Sequence, residues 1–288
     1  MTASLYIHPV QFLQLHDGPR IAYTDTGAGP QTLLFIHGLA NYLPVWNENI
    51  TVLQQQFRCI AIDLPGNGQS SRGDYPYGMA FFADTIAAFL QQLGIEKVSI
   101  AGHSMGGQIA MTIALRHPER VERLALFAPA GFEHFSAEDI NLFKSALTLS
   151  DFLHCEEAHI RQSVHKGFGH PSETAEQIIG ELINLIRNNN RDVYSSMIEQ
   201  CINGMLYEPT DHLLHQLSCP VLVMFGTDDK LIPNRFLHRI PTAQLAQEAI
   251  VKMPRARLFL LESCGHFVHI ERPTSVNAAI FSFMQITA

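Results

Sequence analysis

Between residues 32 and 127, short apolar runs alternate with stretches whose apolar residues recur every third or fourth position. "TLLFIHG", "FRCIAIDLPG", "KVSIAG" and "RLALFAP" are the runs, and each is predicted to be a strand. The spacing between them predicts helices over 43–56, 79–93 and 105–117, with Phe82, Ile86, Phe89, Leu90 and Leu93 on one face of the second. Upstream, "SLYIHPVQFLQL" and "RIAYTDTG" flank the turn residues "HDGP" and predict an early β-ribbon. The apolar runs lack polar alternation, so their strands are expected to be buried on both faces. Strands of that kind separated by helices imply βαβ units, a parallel sheet and right-handed crossovers.

From about Gly131 to about Leu214 the rhythm changes: helical patterns continue, "AEQIIGELINLIRNNN" most clearly, with no buried strand among them. Strand patterns return at "CPVLVMFGTDD" and "ARLFLLESCGH", and "SVNAAIFSFMQI" makes a last helix. The expected organisation is an α/β core, residues 1–130 and 215–288, interrupted by a helical insertion at 131–214.

The chain has 288 residues, 47% hydrophobic and 16% charged, with a formal net charge of −8. A core of this size is easily filled, and the negative balance argues against a nucleic-acid partner. No apolar run approaches the length of a membrane span, and the first residues lack a signal-peptide pattern. The five cysteines are scattered, in no pairing or metal-ligand spacing, and are expected to be free thiols in a reducing, cytoplasmic setting. The histidines are scattered too, so neither a metal site nor a cofactor is expected. Nothing in the pattern reports oligomeric state.

Candidate chemistry begins at Gly102-His103-Ser104-Met105-Gly106, a G-x-S-x-G that closes a predicted strand and opens a predicted helix. A sharp strand-to-helix turn strains the backbone at its serine, flanking glycines remove colliding Cβ groups, and the hydroxyl stands at a helix N-terminus. A serine hydroxyl is a weak nucleophile and needs a base, itself oriented by an acid. Two later strand ends supply them: Asp228 and Asp229 after "VLVMFG", and His266 after "LFLLESCG". The order Ser, Asp, His is the one this architecture uses.

Together, "HG" at 37–38, "DLPGNGQS" at 63–70, "GHSMGG" at 102–107, "GTDDKLIP" at 226–233 and "GHFVHIERP" at 265–273 resemble the α/β-hydrolase superfamily, over nearly the whole chain outside the insertion. The resemblance implies an eight-stranded, mostly parallel sheet flanked by helices, with a helical cap after the sixth strand. It selects Asp229 as the acid, three residues beyond the strand-ending glycine and four before a proline. It also implies an oxyanion hole from the N–H groups of Leu39 and Met105. His37 and Asp63 are then expected to shape loops, His103 to pack the elbow, Glu262 to be structural within its strand, and Cys264 and Trp46 to pack. Phe132, Phe135, Leu142, Phe143, Leu147, Phe152, Met205 and Leu206 are expected either to pack the cap or to line an apolar cleft over Ser104.

The implied activity is cleavage of a small-molecule carboxylic ester through an acyl-enzyme. Serine at the elbow argues against epoxide hydrolases and haloalkane dehalogenases, which use Asp there. Carbon–carbon bond hydrolases of ring-cleavage pathways are the nearer alternative. Their elbow carries Asn where this chain has His103, and Trp where it has Phe267, and they use a cap arginine, for which Arg161, Arg187 and Arg191 are candidates. Cofactor-free perhydrolases and non-catalytic ligand receptors are further alternatives.

Overall fold

The computed structural model describes residues 5–146, 156–170, 172–188 and 191–285. Its strands are β1 (Gln11–Gln14), β2 (Arg20–Thr26), β3 (Thr32–Ile36), β4 (Arg58–Ile62), β5 (Val98–His103), β6 (Val121–Phe127), β7 (Val221–Gly226) and β8 (Ala256–Leu261). They form one sheet in the order β1-β2-β4-β3-β5-β6-β7-β8. β1 and β2 make the expected antiparallel ribbon, β2 joins β4 antiparallel, and every other pairing is parallel.

The helices are α1 (Asn47–Leu53), α2 (Met79–Gln92), α3 (Met105–Arg116), α4 (Ala137–Ala146), α5 (Glu157–His165), α6 (Glu173–Asn188), α7 (Arg191–Tyr207), α8 (Thr242–Val251), α9 (Val268–Glu271) and α10 (Pro273–Met284). α1 packs with α10, α2 with α3, and α8 against β7 and β8. The helix expected over 43–56 is divided: Leu43–Trp46, with Pro44 at its start, is a 3-10 turn, and α1 follows. None of the described helices is long and apolar enough to cross a membrane.

Every residue of β5 and β7 is buried, as uninterrupted apolar runs require. β8 is different. It pairs only with β7, its burial alternates, and Phe259 is half exposed, because the edge of the sheet leaves one face partly uncovered. Glu262, expected within this strand, lies beyond it and is exposed. In the core, Trp46 packs on Phe35 and Phe127, ring centroids 5.3 and 5.8 Å away, and on His269 at 4.2 Å. Burying each such aromatic contributes roughly 2–3 kcal/mol relative to exposure.

Register decides where chemistry can gather. Ile36 lies beside Gly102, His103 beside Phe127, Phe127 beside Met224, and Gly226 beside Leu261. The carboxyl ends of β3, β5, β6, β7 and β8 therefore share one edge. The strand order reverses between β3 and β5, and a crevice opens at such a reversal. Helices α4 to α7 occupy the connection from β6 to β7, which holds no strand among the described residues. That connection is tied to the core: Gln108 Nε2 on α3 donates to the carbonyls of Met205 and Glu208 at 3.1 and 3.0 Å.

Candidate active site

Ser104 sits between β5 and α3 with φ 54° and ψ −121°, a left-handed conformation that costs a non-glycine residue of order 1–3 kcal/mol. The surroundings over-determine it. Its N–H donates to the Phe127 carbonyl at 3.0 Å, and its own carbonyl accepts from Gly107 N at 2.9 Å and Ala130 N at 3.0 Å. A Cβ at Gly106 would collide with the carbonyl oxygens of Ile36 and His37, and one at Gly38 would lie 3.1 Å from the Ser104 Cβ. Position 106 must be glycine for β3, β5 and α3 to meet this closely, and at 38 any Cβ would crowd the His103 and Ser104 side chains. Ala40 and Ala128, in the loops after β3 and β6, also hold positive φ, 56° and 42°. Backbone strain thus concentrates at this one edge.

His266 follows β8, and its N–H is held by the Gly167 carbonyl at 2.7 Å. Its Nδ1 lies 2.9 Å from Asp229 Oδ2. A carboxylate partner makes Nδ1 the protonated nitrogen, which leaves the Nε2 lone pair free. Asp229 is fully buried, and its Oδ1 accepts from the N–H groups of Leu231 at 2.8 Å and Ile232 at 3.0 Å. Asp228 is exposed.

Ser104, His266 and Leu39 share the wall of a cavity of about 360 Å³, near the lower end for small-molecule sites. Phe135, Phe143, Ile202, Met205, Leu206 and Phe267 make it largely apolar. Of the aromatic and aliphatic residues expected to pack or line the cleft, Phe132 packs on Phe225 of the core at 6.1 Å, whereas Leu142 is half exposed. Leu147, Phe152, Cys155 and the side chain of Arg191 lie outside what is described. As the first residue of α3, Met105 has no helical carbonyl for its N–H, and neither that amide nor Leu39's has a hydrogen-bond partner among the described residues.

The remaining polar residues named from the sequence have structural partners. His37 is buried; its Nε2 accepts from Leu64 N at 3.0 Å and its Nδ1 donates to the Gly38 carbonyl at 2.8 Å. Burial brings its pKa down to about 4. His103 donates to the His266 carbonyl at 3.1 Å; burial, then His269 and His266 nearby, hold its pKa well below the usual imidazole value. Asp63 binds Leu43 N, Gln69 N and the Tyr6 hydroxyl, at 2.7, 2.8 and 2.7 Å, and burial raises it to about 6. The Cys264 thiol is buried and pushed up to about 12, a value for an inert thiol. Arg161 pairs with Glu176 and Glu157, and Arg187 with Glu157; neither borders the cavity. Four polar wall residues were not foreseen: Asn41, Gln108, Glu133 and Asn234. None stands in a motif, and only the fold brings them to Ser104.

A family model for the alpha/beta hydrolase fold matches residues 31–273. The chain belongs to this family. Among curated proteins, this α/β-hydrolase is 29% identical over 266 residues to the dihydrolipoyllysine-residue acetyltransferase component of an acetoin cleaving system from Cupriavidus necator. That match covers 92% of the chain and 66% of the relative's length. It is 27% identical to a 2-hydroxy-6-oxononadienedioate/2-hydroxy-6-oxononatrienedioate hydrolase from Burkholderia vietnamiensis, covering 92% and 91%. Among solved structures, a probable hydrolytic enzyme from Pseudomonas aeruginosa superposes with a TM-score of 0.84 at 26% identity, covering 98% and 96%. The eight-stranded, mostly parallel sheet expected from sequence is therefore the family's own.

Proposed function

We propose that this α/β-hydrolase is a serine esterase acting on carboxylic esters of small to medium apolar acids or alcohols. One observation carries the reading: a strained serine shares a cavity wall with a histidine whose Nδ1 is bound to a buried carboxylate. In this reading His266 Nε2 takes the proton from Ser104 as Oγ attacks the ester carbonyl. The N–H groups of Leu39 and Met105 stabilise the tetrahedral oxyanion. His266 then returns the proton to the leaving alcohol, and the acyl–oxygen bond breaks. Water, deprotonated by the same imidazole, attacks the acyl-enzyme; the acyl–Oγ bond breaks as His266 gives that proton to Ser104 Oγ, which releases the acid and restores the hydroxyl and the neutral ring. Asp229 orients the ring and stabilises the imidazolium. Residues 131–214 act as a cap whose α4 and α7 side chains close the apolar wall. Four free thiols among the described residues fit a reducing, cytoplasmic setting.

The names of the relatives point to different reactions, acetyl transfer and hydrolysis of a dienedioate, so the site itself must argue for the bond cleaved. Carbon–carbon cleavage remains the second reading, favoured by the Burkholderia relative. A dianionic substrate would want a cationic partner, and among the described lining residues there is no arginine or lysine. Nitrophenyl esters of increasing acyl length, assayed beside a ring-cleavage diketone, separate the two. Turnover of short or medium esters with an inert diketone is expected; the reverse pattern would overturn the ester reading.

A further inference from the structure

Glu133 is the single acidic side chain on the cavity wall among the described residues, and no arginine or lysine lines that wall with it. It lies in the loop after β6 and is 8% exposed. A carboxylate so placed in an apolar wall needs a reason, because burial disfavours its charge. One oxygen has that reason. Oε1 accepts from Asn234 N at 2.7 Å and from His238 Nδ1 at 2.7 Å, and His238 is in turn packed by Phe135, ring centroids 5.2 Å apart. Both partners go to Oε1 and none to Oε2 among the described residues, and Glu133 forms part of the cavity wall. Asn234 and His238 thus fix the carboxylate while one acceptor oxygen stays unsatisfied.

An unsatisfied anionic acceptor on a binding wall discriminates in two ways. It rewards a substrate that brings a hydrogen-bond donor, an ammonium most of all, and it repels one that brings a second carboxylate. No arginine or lysine among the described lining residues offsets that repulsion. Burial raises the Glu133 pKa while the His238 hydrogen bond opposes the rise. We propose that Glu133 is a specificity-determining residue that selects esters carrying a hydrogen-bond donor, cationic above neutral, and excludes esters carrying a carboxylate. The proposal deepens the esterase reading and rests on it for the identity of the reacting group. It requires no part for Glu133 in bond breaking.

Two matched series test it. The first is nitrophenyl esters of one acyl length ending in methyl, hydroxyl, ammonium or carboxylate. The second is the corresponding unreactive primary amides, whose affinities are measured by calorimetry. In the unmodified protein the ammonium member should exceed the carboxylate member by at least about tenfold, in kcat/KM and in affinity. Glu133→Gln should bring both ratios to within about twofold of unity, whereas Glu133→Asp should keep their direction. Glu133→Met replaces the glutamine variant if that one does not fold. A flat ratio in the unmodified protein, or a ratio that survives loss of the charge, overturns the proposal. That second outcome is also what a merely structural clasp between Glu133 and the Asn234–His238 loop would give. The two readings fail separately. If no ester is cleaved but the amide preference holds and depends on Glu133, the esterase reading falls alone. If the methyl-ended ester is cleaved and the ratios are flat, the selectivity proposal falls alone.

Discussion

Asp229, the proposed acid, and its neighbour illustrate how little separates two carboxylates with different surroundings. Asp229 and Asp228 are adjacent in sequence, but the first is fully buried against His266 Nδ1 and two backbone amides and the second faces solvent. Asp229→Asn preserves shape, and with Oδ1 kept as the acceptor for Leu231 and Ile232 it presents an NH2 donor to Nδ1. The wrong imidazole tautomer is then favoured, and kcat on an activated ester should fall by about 10³–10⁴. Asp228→Asn should leave kcat within about twofold, as expected for a solvated surface carboxylate. Equal losses in the two variants, measured by steady-state kinetics, would reject the assignment of the acid. The candidate residues Ser104, His266 and Asp229 could be picked out because each sits at a strand end inside a short motif. Glu133 could not, because its partners Asn234 and His238 lie about a hundred positions away and no local pattern announces them.

Elements were legible where local chemistry and packing agree. The β5–α3 corner is one such place, since Gly106 can be nothing larger while Ile36 and His37 carbonyls lie against it. Gly106→Ala should cost ~3 kcal/mol by overpacking, read as a lowered urea midpoint. A midpoint unchanged from the parent would show that the corner has slack. The start of α2 is satisfied from a distance: Glu208, past the end of α7, accepts from Met79 N at 3.2 Å and Ala80 N at 2.7 Å. Glu208→Ala should therefore cost ~1 kcal/mol through lost capping, checked by the same unfolding measurement. No sequence rule finds a cap supplied from outside the helix. α8 escaped notice for a different reason: its buried positions are Thr242, Leu245, Ala246 and Ala249, and alanines give a weak apolar stripe. The apolar run of β8 does not reveal that it lies at the sheet's edge, where its burial alternates.

At the scale of the whole molecule, the sheet edge that gathers the site also gathers buried imidazoles, and these set how the fold responds to acid. His37 and His269 are held down to about 4 and about 3 by burial, and His103 well below its model-compound value of 6.5. Their stabilising contribution is present above pH 6.5 and is lost as pH falls, because the unfolded chain takes up protons that the folded chain refuses. Asp63 works in the opposite sense: raised to about 6, it contributes stability below 3.8 that is lost as pH rises through about 6. Burial moves Glu133 in the same direction as Asp63. Three histidines outweigh the acids, so near pH 5 stability should fall on the order of 2 kcal/mol per pH unit of acidification. Trp46, the single tryptophan, is buried against His269 and reports urea unfolding by its fluorescence. A stability that rises from pH 7 to pH 5 would contradict this balance. The topology was legible as a whole because β-runs and helices alternate along the chain, whereas the shape of the cavity depends on side chains from α4 and α7 that only folding assembles. The convergence itself is tested most directly by reaction with a fluorophosphonate followed by peptide mapping. A single adduct on Ser104 is expected, and it should be lost or greatly slowed in His266→Ala. An unlabelled Ser104 in the folded parent protein, or labelling that proceeds equally without His266, would contradict an activated serine at this site.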